Sequence, residues 1–107
     1  MQATSELDAR LEMRAFIERA KAPLGEWYVG VTAAPEVRLA AHGVEDSDWW
    51  IVRRLGDSEK ARRVAEALLG LGCEGRPEPV TPEGAVEEDE GPAVAVYAYW
   101  KRGHTNP

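Results

Sequence analysis

At 107 residues the chain has the length of one domain, able to bury a core of its own but too short for a separate substrate domain. Its 44% hydrophobic and 30% charged residues exclude a disordered chain, no apolar run reaches the ~18 residues of a membrane span, and a single cysteine excludes an internal disulfide or a thiolate-rich zinc site. The formal charge of −6 is local: Glu83, Glu87, Glu88, Asp89 and Glu90 share one segment with no base among them, and without those five the charge falls to −1. That remainder still lacks the basic footprint of a dedicated DNA binder, and Arg53-Arg54 and Arg62-Arg63 read as solvated surface charge.

The polar start of the chain has no basic-then-apolar leader pattern, so a cytoplasmic location is expected. Residues 4–22 predict a helix, with Ser5 as N-cap and Asp8 three residues on, much as in a capping box. Leu7, Leu11 and Ala15 form one stripe, and Met13, Phe16, Ile17 and Ala20 an adjoining one. Pro23 and Gly25 end it. Residues 27–32 then alternate, Trp27, Val29 and Val31 against Tyr28, Gly30 and Thr32, which predicts a strand. Pro35 opens a short helix that ends at Gly43.

Residues 49–55 predict a second strand, with the indoles of Trp49 and Trp50 on opposite sides and at least one of them in the core. Gly56-Asp57-Ser58 reads as a turn and N-cap. The strongest helical signal follows over 59–71, where Ala61, Val64, Ala65, Leu68 and Leu69 make a continuous stripe, closed by Gly72. Cys73, just past the helix, reads as a packing residue. Residues 75–92 predict a long, mobile, acidic and proline-rich loop, residues 94–100 a last strand, and 101–107 a polar tail. The expected fold is a single α+β domain over 1–107, a small three-stranded sheet with about three helices in the order α-β-α-β-α-β. Val29, Val31, Val94 and Val96 would face the helices, and Tyr28, Tyr97 and Tyr99 would share the other face if the first and last strands pair in matching register.

Trp27-Tyr28-Val29-Gly30-Val31-Thr32, followed by Pro35, Arg38-Leu39 and His42, resembles the second half of the GIY-YIG endonuclease motif, over about residues 27–72. The resemblance implies that Tyr28 helps activate an attacking water and that Arg38 stabilises charge on a scissile phosphate, a task that suits a guanidinium fork. His42 would sit one turn beyond Arg38 on the same helix face, and read by itself it is a helix C-terminal residue facing the dipole. The leading Gly-Ile-Tyr strand of the family has no counterpart before Trp27, and Tyr97 or Tyr99 on the last strand is the candidate replacement. The metal-binding glutamate of the family falls nearest to Glu66, which helical spacing turns toward the solvated side with Glu59, Arg62 and Arg63.

Together these readings lead to the expectation of a non-catalytic interaction module on a degenerate GIY-YIG-like scaffold. It would need no cofactor and would have a protein partner, with nucleic acid a partner the charge does not support, and it would not engage a membrane. The alternative is a GIY-YIG-type endonuclease that cleaves phosphodiester bonds with Mg²⁺ or Mn²⁺ and uses Tyr28, Arg38, His42, Tyr97 or Tyr99, and Glu66 as metal ligand.

Overall fold

The structure, a computed structural model, describes residues 4–76 and 94–105. In chain order it contains α1 (Glu6–Ala20), a 3₁₀ turn (Leu24–Glu26), β1 (Trp27–Thr32), α2 (Pro35–Ala41), β2 (Trp50–Arg54), α3 (Ser58–Leu71), β3 (Glu74–Gly75) and β4 (Ala95–Trp100). The acidic residues 83–90 lie outside the described residues.

Both long helices start on side-chain caps. The Asp8 N–H donates to Ser5 Oγ at 3.1 Å, and Asp57 accepts from the N–H groups of Glu59 and Lys60 at 2.7 and 3.2 Å. The first helix ends two residues sooner than its periodicity suggests, because Lys21 turns left-handed with φ 59°. Of its two apolar stripes, the one through Ala9, Met13 and Ile17 is buried, with Phe16 and Ala20 against it. Leu7 and Leu11 are exposed. Ala61, Val64, Ala65 and Leu68 form the buried stripe of α3, and Gly72 closes that helix at φ 125°.

The sheet has four strands in the order β2-β4-β1-β3, one more than expected, and the α+β class stands. The added strand is only two residues long, so it carries no periodic signal. Glu74 and Gly75 run parallel to β1 opposite Tyr28 and Val29. Gly75 has φ 133°, and any Cβ on it would overlap the Val29 carbonyl, so only glycine admits this approach. The expected loop therefore begins with a sheet edge. The other pairings are antiparallel: Tyr28 lies opposite Tyr99 and Gly30 opposite Tyr97, while β2 pairs on the far side of β4 with Val52 opposite Tyr97.

This register sorts the side chains into two layers. Trp27, Val29, Val31, Ile51, Val96 and Ala98 pack with α1 and α3 in the main core. Tyr28, Val52, Tyr97 and Tyr99 face the other way, against Leu39 of α2 and Val44. Neither indole of Trp49 and Trp50 is a core residue. Both are more than a third exposed, Trp49 leaning on Phe16 with ring centroids 5.2 Å apart. The cause is position: β2 is an edge strand of the sheet, and among the described residues it has a strand neighbour on one side only. Cys73 is buried, and burial pushes its thiol up.

Candidate functional site

The α2 face gathers the chemistry. Thr32 ends β1 fully buried, and its hydroxyl accepts the Ala34 N–H at 3.0 Å, which turns the chain into α2 at Pro35. The helix lasts two turns, with Arg38 and Leu39 buried, and the His42 N–H closes it on the Arg38 carbonyl at 3.0 Å. Its C-cap side chain, His42, points inward. His42 Nε2 shares a buried hydrogen bond with the Tyr97 hydroxyl at 2.9 Å. Reading His42 as a dipole partner at the helix end missed this contact, which depends on a strand 55 residues away.

Four aromatic rings meet around that bond. The His42 ring centroid lies 5.0 Å from Tyr28, 5.6 Å from Tyr97 and 5.2 Å from Tyr99. Tyr28 stacks on Tyr99 at 5.5 Å and on Tyr97 at 6.4 Å. Gly30 makes room for this arrangement. A Cβ there would stand 2.6 Å from Tyr97 Cε1 and closer still to Cζ and the hydroxyl, so the phenol ring lies on bare backbone.

Inside the cluster the Tyr99 hydroxyl is buried and has no hydrogen-bond partner among the described residues. Burial, first of all, holds its acidity well below that of an ordinary phenol, and Tyr97 and Tyr28 add to the effect. Tyr99 therefore stays protonated across the physiological range. Tyr28 is half-buried and forms the side of the cluster nearest solvent. In the opposite layer, Trp27 Nε1 is likewise buried without a partner among the described residues.

Of the residues singled out from sequence, the structure brings together Tyr28, His42, Tyr97 and Tyr99. Arg38 lies four residues before His42 on α2, 6% exposed. Glu66 stands elsewhere. It belongs to α3, which packs on the other side of the sheet, and its half-exposed carboxylate lies 4.0 Å from Arg62. Sequence reasoning missed Glu74, which the parallel register sets beside Tyr28 and whose carboxylate pairs with Lys101 Nζ. A two-residue strand offers no pattern from which that neighbour can be read.

The donors in this cluster are phenols, one imidazole and, on the same helix, a guanidinium. Mg²⁺ and Mn²⁺ want several oxygen ligands, carboxylates first among them. Among the described residues no three His, Cys, Asp or Glu side chains gather into a metal-binding group, and this donor set does not fit a divalent cation. No described helix is long and apolar enough to cross a membrane. Comparison with protein-family models, curated proteins and solved structures finds no match.

Proposed function

We propose that this chain is a non-catalytic interaction module on a degenerate GIY-YIG-like scaffold, acting in the cytoplasm on a protein partner. The observation that carries the reading is the mismatch between the cluster and its metal. Tyr28, His42, Tyr97 and Tyr99 converge, while Glu66 lies in the layer across the sheet, paired with Arg62. Phenols and an imidazole can order a surface and offer hydrogen bonds, and the Glu74 carboxylate beside Tyr28 is paired with Lys101, a set too poor in carboxylate oxygen to hold Mg²⁺.

A metal-dependent endonuclease is the second reading. The adjacent, antiparallel placing of Tyr28 and Tyr99, with Arg38 and His42 on the helix above them, favours it. Paramagnetic broadening by Mn²⁺ separates the two. The module reading expects the side-chain signals of Tyr28, His42 and Tyr97 to stay sharp at equimolar Mn²⁺. Selective broadening of those signals would favour the nuclease.

A further inference from the structure

Beside the aromatic cluster, α2 and β2 enclose a groove with a cavity of about 590 Å³. Its apolar wall is made by Leu39, Ala40, Val44, Trp50 and Val52. The groove runs along β2, which is an outer strand of the sheet. The Trp100 N–H bonds the Trp49 carbonyl at 3.0 Å and the Leu55 N–H bonds the Val94 carbonyl at 2.8 Å, so the odd-numbered residues of β2 turn their backbone groups toward β4. Trp50, Val52 and Arg54 therefore turn theirs outward. Part of this edge is closed, because Thr4 N–H donates to the Arg54 carbonyl at 2.7 Å and Arg53 Nη1 to the Val52 carbonyl at 2.8 Å. The N–H groups of Trp50 and Val52 and the Trp50 carbonyl are left without partners among the described residues. Such an edge is a template for an added strand.

The charges around the groove are uneven. Arg54 pairs with Glu36 at 2.6 Å, which holds the Glu36 carboxyl below its usual range, and Arg53 pairs with Glu12 at 2.6 Å. Those pairs neutralise one end. At the other end, next to Val44 and Trp50, Glu45 and Asp46 are exposed and their carboxylates form no ion pair among the described residues.

We infer that this groove binds an extended peptide with an apolar residue and, two residues away, a Lys or Arg, added as a strand on the open edge of β2. The inference rests on the interaction-module reading and names its partner class. Side chains two apart on a strand share a face, so both would enter the groove. The apolar one would lie beneath α2 against Leu39, Val44 and Val52. The cation would stack on the Trp50 indole and reach Glu45 and Asp46. The Trp50 and Val52 N–H groups would supply main-chain bonds that do not depend on the peptide's sequence, leaving specificity to the two side-chain positions.

The test uses the whole chain, ¹⁵N-labelled, titrated with the peptide Thr-Leu-Thr-Lys-Thr-Leu-Thr-Lys-Thr-Leu. The Trp50 and Val52 amides should shift and gain protection from hydrogen exchange. Replacing the peptide's Lys by Glu, or N-methylating its backbone, should weaken binding by about tenfold or more, the scale of one lost charge-assisted contact or main-chain pair. The exposed double variant Glu45→Lys, Asp46→Lys should lose the same affinity while keeping its native spectrum. If these amides do not move, or if the Glu peptide binds as well as the Lys peptide, the inference fails. Plasmid nicking measured in parallel keeps the two failures distinct: metal-dependent cleavage would overturn the module reading, whereas silent amides without cleavage overturn the groove alone.

Discussion

The two sides of the sheet are built on opposite terms. Toward α1 and α3 the packing is aliphatic and closed, with Met13, Ile17, Val29, Val64 and Leu68 almost fully buried. Toward α2 it is aromatic and polar, one short helix covering part of the sheet and a groove lying open along β2. Non-directional packing holds a fold together, whereas a buried polar network adds rigidity and a defined geometry. The contrast sets closed, stabilising packing on one side and, on the other, the face to which the proposed recognition is assigned.

The largest expected effect is on the closed side. Leu68→Ala should cost about 2–5 kcal/mol of unfolding free energy, the range for emptying a fully buried leucine site, and denaturant unfolding would measure it. A loss under about 1 kcal/mol would mean that this face is loosely packed. Gly30→Ala comes next, at about 1–3 kcal/mol, because its Cβ meets the Tyr97 ring. In a Tyr97→Ala background the same change should cost far less, and equal costs in both would show that the ring does not rest on Gly30.

A smaller contrast lies within the aromatic cluster. Tyr97→Phe removes the hydrogen bond to His42 and should destabilise by about 1 kcal/mol. Tyr99→Phe removes a buried hydroxyl that has no partner among the described residues, so it should be neutral or stabilising, by up to about 1–3 kcal/mol. A destabilising Tyr99→Phe would reveal a bonded water or ligand at that oxygen. The smallest effect concerns pH. Asp48 accepts the Glu45 N–H at 2.8 Å and lies 2.7 Å from His104 Nε2, contacts that lower its pKa in that order. A carboxyl depressed on folding contributes stability above its unfolded pKa and loses it as pH falls through the folded value. Asp48→Asn should therefore flatten the acid limb of the stability profile below about pH 4 and leave neutral pH nearly unchanged.

The helices and the three longer strands were legible in the sequence because each carries its own period. The stripe through Ala61, Val64, Ala65 and Leu68 is the clearest case, and the sharing of one face by Tyr28, Tyr97 and Tyr99 followed from alternation once β1 and β4 were paired. What escaped was set by tertiary neighbours. The two-residue β3 exists because Gly75 fits against the Val29 backbone, and Glu74 reaches Tyr28 only through it. At least one of Trp49 and Trp50 looked like a core residue by type, but both lie at an edge strand that has a strand neighbour on one side only among the described residues. Periodicity also could not decide between the stripes of α1, because which one faces the sheet depends on where α3 sits. The turn of His42 onto Tyr97 was hidden for a similar reason, since their bond joins residues 55 apart in sequence.

The most direct test of the central claim is supercoiled-plasmid nicking in Mg²⁺ or Mn²⁺ by the wild type, Tyr28→Phe and Arg38→Ala. The account predicts intact plasmid in every lane. Metal-dependent nicking by the wild type that disappears in Arg38→Ala would contradict it and make the aromatic cluster an active site.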